Sequence, residues 1–336
     1  MTTFASLVTS ARAMASPMPR DPPVTTAVLP MSDDMYAGRI THRFMATVAL
    51  IGAGDIGGAC AHALAAHHRV GRILVIDPAV NAAAGKALDI QQAGAISGFH
   101  ARLEATDDES RAVGCAACVI ADRFAAGSPE WQGEEGLALI KRIAELSTDA
   151  PIVFAGATQA ELMQASSREA RVPARRLIGS AAEAFASAVA AIVAMEARCS
   201  VNEVSLAVLG APPGARPERA ERVEGFVVPW SDASIGGYAL ERVVSQVQLR
   251  RIEARVARLW PPAPYALGAA AAGVVEALLQ ASRRCSNVLT VLGGEFGVRD
   301  RVGAVPALLA PQGVVHTRVP ALNTRERVQL DTALGV

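Results

Sequence analysis

Apolar and polar positions change period several times along the chain, and each change marks an element. From Met45 the run ATVALIGAG is almost wholly apolar and then turns on glycines, as a strand buried on both faces does when it ends in a tight turn. An alanine-rich helix follows, and ILVID, ending at Asp77, is a second buried strand. About thirty residues thus hold strand, glycine turn, helix and strand, a βαβ unit. The alternation continues with a helix from about Ala82 to Ala95, a strand over Cys118 to Ala121, a helix from about Glu134 to Leu146, and a strand in PIVFAG. Strands separated by helices of this length predict a parallel, doubly wound sheet. From Ser200 the strand-like NEVSLAVLG and GFVVPW precede one amphipathic helix predicted over about Gly237 to Leu259, with Leu240, Val243, Val247 and Ile252 on its apolar face.

The first 44 residues follow neither period. Rich in Ser, Thr, Pro and Met, they are expected to be disordered, or to be an over-long start with true initiation at Met45. Arg12, Arg20, Arg39 and Arg43 would suit a targeting peptide, but Asp21, Asp33 and Asp34 and the missing apolar stretch argue against one.

Composition narrows the function classes. The chain has 336 residues, 51% hydrophobic and 19% charged, enough for one or two globular cores. Lys+Arg and Asp+Glu are both 32, so no net field draws the chain to nucleic acid or to an anionic membrane. Arg242, Arg250, Arg251, Arg255 and Arg258 gather on the predicted 237–259 helix, but Glu241, Glu253 and apolar residues interleave them, which reads as a solvated or subunit-contact face. No run approaches the roughly 18 apolar residues of a membrane span. Five scattered cysteines, including Cys115 and Cys118 at the entry to a buried strand, suit reduced thiols in the cytoplasm, and no metal-ligand spacing is present.

The first βαβ unit carries the chemistry best defined by spacing. Gly52 allows the turn after the strand, Gly54 lets the backbone approach a pyrophosphate, and Gly57 lets helix and strand pack closely. Asp55 and Ile56 open the helix, whose free N–H groups favour an anion. Asp77 at the second strand end suits the adenosine ribose hydroxyls and would repel the extra phosphate of NADP, so NAD is the expected cofactor. Asp89, in GKALDI, reads as a polar helix face.

GAGDIGG, the Asp77 strand end, GKALDI, RRLIGSA and above all LGGEFGVRDRVGAVPALLAPQGV stand in an order and spacing that resemble the malate and lactate dehydrogenases. The resemblance covers about 45 to 332, and the C-terminal stretch resembles a characteristic β-hairpin of that family. It implies a Rossmann sheet over 45–180, followed over 181–332 by an α+β domain of the malate/lactate dehydrogenase C-terminal type. Homodimers or homotetramers are also implied.

In that family a histidine takes the hydroxyl proton, an aspartate orients it, and arginines clamp the substrate carboxylate. The histidine's G-x-H-G-D segment corresponds to VLGAPPG, with Ala211 and Pro212 at the place of the base, and no histidine occurs between His100 and His316. The L-D-S-A-R segment aligns onto Ala184 to Ala188, which puts Phe185 at the orienting aspartate and Ala188 at the arginine clamp. The loop that would bring two more arginines reads ADRFAAGSPEWQGEEG. It has Ala126, Gly127 and Gly133 around the expected positions, Arg123 as its one arginine, and Glu130, Glu134 and Glu135 making it acidic. Gly156-Ala157-Thr158-Gln159 replaces the substrate-binding N-P-V-D turn.

Four titratable residues remain as candidates for any substitute chemistry. They are Asp122 and Arg123 after the third strand, Glu183 before the altered helix segment, and Tyr265 in PPAPYALG. Each also has a plain structural reading: a solvated loop start for Asp122 and Arg123, a helix N-terminal turn for Glu183, and helix packing for Tyr265. Lys86 and Lys141, the only lysines, lie on helices of the first half and are excluded by position as a base. Two functions are therefore expected. One is a non-catalytic NAD-binding relative acting as a regulatory or partner subunit. The other is a diverged NAD-dependent oxidoreductase acting on another small hydroxy or carbonyl compound.

Overall fold

The apolar runs between 46 and 179 become buried strands because helices cover them, while the edge strand Arg102–Thr106 keeps Arg102 exposed and Glu104 half-buried. The computed structural model describes residues 45–67, 69–213 and 225–336. The expectations for residues 1–44 lie outside the described residues. The strands β1 (Ala46–Ile51), β2 (Val70–Ile76), β3 (Arg102–Thr106), β4 (Ala117–Ile120), β5 (Ile152–Phe154) and β6 (Leu177–Gly179) pair in parallel in the order 3-2-1-4-5-6. This is the doubly wound Rossmann order. The helices α1 (Asp55–Ala66), α2 (Val80–Ser97), α3 (Gly133–Leu146), α4 (Ala160–Arg168) and α5 (Ala181–Ala197) follow the strands.

The sheet then continues through short strands. After β6 it adds β12 (Ser286–Gly293) and β13 (Arg299–Ala310), then β8 (Leu209–Gly210) and β9 (Phe226–Val227), with β14 (Gly313–Thr317) also on β13, all antiparallel. The GGEFG segment is the turn of the expected hairpin. Val291 pairs with Val302, and Glu295 holds the turn by accepting from the Gly293 N–H at 2.6 Å and the Thr317 hydroxyl at 2.9 Å. A second sheet holds β7 (Val204–Ser205), β10 (Ser234–Ile235) and β11 (Tyr238–Ala239).

The helix predicted over 237–259 is corrected. It is split into α6 (Leu240–Val243) and α7 (Gln246–Val256), with Tyr238 and Ala239 in a strand. Ser245 breaks it, because its hydroxyl and the Gln248 side chain form a reciprocal capping box that starts a new helix. Leu240 and Ile252 are buried, while Val243 and Val247 of the expected apolar face are exposed.

Two helix contacts fasten the two ends of the extended sheet's helical cover, one on α1 and one on the C-terminal hairpin. α8 (Pro264–Gln280) lies along α1, close enough that a Cβ on Gly268 would meet the Cys60 nitrogen at 2.6 Å. The C-terminal α9 (Thr324–Leu334) closes the hairpin end, with Leu330 and Leu334 packed among Leu209, Leu292, Phe296, Val298 and Val305. No helix among the described residues is long and apolar enough to cross a membrane.

Candidate functional site

In a sheet of order 3-2-1-4-5-6 the ligand crevice lies at the strand ends where the order reverses, here between β1 and β4. Gly52 follows β1 and Asp122 follows β4, and the fold brings them into contact. Gly52 has φ +110°, and a Cβ there would sit 2.3 Å from the Asp122 carbonyl oxygen. The turn is fastened by the Gly54 N–H, which donates to that same oxygen at 2.9 Å. Gly57 lies under the turn, where a Cβ would sit 2.2 Å from the Gly52 oxygen. The tight turn and the close helix packing expected of Gly52 and Gly57 thus have a geometric basis.

The N–H groups at the start of α1 already have an acceptor. Asp122 turns its carboxylate onto them, taking the Ile56 N–H at 3.0 Å on Oδ2 and the Gly57 N–H at 2.8 Å on Oδ1. Only 1% of Asp122 is exposed, which corrects its reading as a solvated loop start. The cause is that a carboxylate satisfies orphan N–H donors and a positive dipole end better than water does in a closed crevice. Burial pushes its carboxyl above the ordinary value while the Ile56 and Gly57 N–H groups pull it back down. Its charge and, above all, burial push the Cys60 thiol up to about 12, so that sulfur is a packing group rather than a nucleophile.

Asp77 is equally engaged and also 1% exposed. Its Oδ1 accepts from the Ala79 N–H at 2.8 Å, and its Oδ2 accepts from Ala53 N–H at 2.8 Å and Phe124 N–H at 3.0 Å. Phe124 belongs to the loop that starts at Asp122. That loop folds back on itself through an Asp122–Glu130 bridge and an Arg123 N–H to Pro129 carbonyl bond of 3.0 Å. Its far end repeats the pattern of its near end. Glu130 accepts from the Ala157 and Thr158 N–H groups, each at 2.9 Å, and from the Thr158 hydroxyl at 2.6 Å, capping the turn after β5. Gly156 leaves the room for this, since a Cβ there would be 2.1 Å from the Glu130 carboxylate. Gln159 completes the turn by accepting from the Gly156 N–H at 2.9 Å.

Lys86 is the site residue the sequence did not reveal. From α2 its Nζ donates to the Gly54 carbonyl at 2.7 Å and stands 5.4 Å from the Phe124 ring centroid, a cation beside the glycine turn. Of the two residues opening α1, Asp55 is exposed and Ile56 is buried.

The other candidates do not join this cluster. Arg123 pairs with Glu135 through two bonds of 2.7 and 2.8 Å and lies 4.8 Å over the Trp131 ring. Glu183 sits in the first turn of α5, with its carboxylate accepting from the Asn287 N–H on β12 at 2.6 Å. Tyr265, at the start of α8, is 84% exposed, which corrects its reading as helix packing: the apolar contacts of α8 are made by Leu267, Ala271 and Val274. Phe185, on α5, packs against Phe226 and Trp260 with centroid distances of 5.1 and 6.4 Å, and those two lie 5.0 Å apart. Ala188 is half-buried on the same helix, and Ala211 and Pro212 are buried after β8.

Burial raises the Glu183 carboxyl above its ordinary value, which the Asn287 N–H only partly offsets. A raised carboxyl favours the protonated fold, so this contribution is full at low pH and is lost as pH rises above the ordinary carboxylate range. Thermal melts of Glu183→Gln are expected to lie above wild type at pH 7 and to converge with it near pH 4. A variant melting below wild type at pH 7 would refute this.

These features define a dinucleotide-type crevice on a Rossmann sheet extended by an antiparallel region. Residues 46–166 match the model of the lactate/malate dehydrogenase NAD-binding domain. The match is to the domain that holds the cofactor in that family, which implies NAD as the cofactor of this segment. The chain is 27% identical over 304 residues to the malate dehydrogenase of Thioalkalivibrio sulfidiphilus (strain HL-EbGR7), covering 87% of this chain and 97% of that protein. The fold is similar to that of malate dehydrogenase from Salinibacter ruber, with a TM-score of 0.73 at 23% identity over 86% of this chain and 94% of that one. It is also similar to the minor L-lactate dehydrogenase of Enterococcus mundtii, with a TM-score of 0.72 at 18% identity over 87% and 96%. The likeness therefore extends beyond the matched domain to most of the described chain.

Against that family setting, the crevice in this arrangement does not fit a bound dinucleotide. The α1 N–H groups that would face a pyrophosphate are held by Asp122, and the Asp77 oxygens that would face a ribose are held by three backbone donors.

Proposed function

We propose that this chain is a malate/lactate dehydrogenase-type NAD-binding protein that does not oxidise malate or lactate, and that it acts as a regulatory or partner subunit. The aromatic cluster around Phe185 carries this reading. At the place the resemblance gives to the orienting carboxylate stands a ring 5% exposed and packed on two others, with Ala188 where a guanidinium would hold the substrate. Neither residue can move a proton or hold a carboxylate, and Ala211 and Pro212 offer no base nearby in sequence. A diverged oxidoreductase would need another titratable group at the crevice. The buried candidate there, Asp122, has its oxygens committed to the Ile56 and Gly57 N–H groups.

We place the NAD-binding half at 45–180 and the α+β half at 181–332, with the boundary between β6 and α5. We assign the protein to the cytoplasm as a homodimer or homotetramer. With NADH and either oxaloacetate or pyruvate, the purified protein is expected to consume cofactor no faster than buffer does. Turnover that scales with protein concentration would overturn the proposal.

A further inference from the structure

We infer that the loop from Asp122 to Trp131 is an internal occupant of the dinucleotide crevice, so that NAD binds only by displacing it. The inference rests on the family's cofactor and concerns access to that site, independently of whether hydride transfer survives.

The loop meets the crevice at three separate points. Asp122 supplies two carboxylate oxygens to the α1 N–H groups, Phe124 supplies its N–H to Asp77, and Glu130 supplies two oxygens to the turn after β5. Two anions cannot share the same pair of N–H donors, and the Asp122 charge repels a pyrophosphate brought near it. Steric exclusion acts together with charge. The space over Gly54 is filled, since the Asp122 carboxylate atoms lie 2.4 to 2.7 Å from where a Cβ would stand. The groups suited to a dinucleotide phosphate, the α1 N–H groups and the Lys86 cation, remain in place beneath the loop, so the crevice is covered rather than dismantled. The loop is built to stay down: Trp131 is 5% exposed, Arg123 covers its ring, and Glu135 holds Arg123.

The test uses the full chain and NAD+ as the probe, with calorimetry for affinity and tryptophan emission for the loop. Asp122→Ala frees two N–H donors and removes the repelling charge, and is expected to lower the Kd for NAD+ at least tenfold. Glu130→Ala loosens the far end without touching the glycine turn, and is expected to lower it severalfold. It also keeps the test valid should Asp122→Ala fail to fold. In wild type, saturation with NAD+ is expected to shift tryptophan emission to the red, and Trp131→Phe to abolish that shift. Unchanged or weaker NAD+ binding in the folded variants would overturn the inference, as would binding absent from wild type and variants alike at millimolar cofactor. Oxaloacetate or pyruvate reduction by wild type would overturn the proposed function while leaving this inference standing.

Discussion

Phe185→Asp is expected to lower the unfolding free energy by about 4 kcal/mol or more and to create no dehydrogenase activity. Removing a buried phenylalanine costs about 3 to 5 kcal/mol in other proteins, and its ring contacts add about 0.5 to 1.5 kcal/mol for each aromatic pair. The new carboxylate would face Phe226 and Trp260 with no cation among the contacts that define the cluster. Against a total stability of about 5 to 15 kcal/mol for a typical domain, the variant is marginal. Phe185→Leu keeps the apolar volume better and is expected to cost under about 2 kcal/mol. Urea unfolding of both variants checks the account. An aspartate tolerated within about 1 kcal/mol of wild type would mean that the cluster is not a core but a site open to water.

Gly57→Ala is expected to cost about 3 kcal/mol and to weaken NAD+ binding, although it adds a single methyl group. The added Cβ would stand 2.2 Å from the Gly52 oxygen and 2.9 Å from its carbon. Both are backbone atoms at the end of a buried strand, so neither can turn aside. Helix α1 must lift off β1, which moves the Ile56 and Gly57 N–H groups away from any acceptor in the crevice. Gly85→Ala is the matched control. That glycine is exposed on α2 with nothing within 4 Å of an added Cβ, and the change is expected to stabilise by about 0.5 to 1 kcal/mol. Equal effects at the two positions in thermal melts would show that helix propensity, not the contact with Gly52, decides the outcome.

The Rossmann half was legible because its signals are local. A buried strand, the glycine spacing and Asp77 lie within about thirty residues, and each corresponds to a backbone requirement that only a few residue types meet. The parallel order followed from the alternation of strands and helices. What escaped the sequence depends on residues brought together from far apart. Asp122 is 66 residues from Ile56, and nothing in its neighbourhood tells a solvated loop start from a buried cap. Lys86 was placed correctly on a helix, but which way α2 turns it, toward Gly54, is set by the packing of α1 and α2. The cluster at Phe185 needs Phe226 and Trp260, which stand 41 and 75 residues further along the chain. The break at Ser245 is the exception: the Ser-x-x-Gln cap was there to be read, and the apolar repeat across it concealed it.

The closed crevice and the apolar cluster have one common consequence. A chain can keep the turn, helix and strand order of a dehydrogenase, which folding requires, whether or not it keeps the groups that lower a reaction barrier. Fold and reaction are separable because the first rests on glycines and buried strands and the second on a few titratable side chains.

Transfer of deuterium between NADH labelled at the nicotinamide C4 and a panel of carbonyl compounds, including oxaloacetate and pyruvate, tests that separation most directly. The account predicts no label in any product above the protein-free control, for wild type and for Asp122→Ala alike. Stereospecific transfer to even one compound would contradict it.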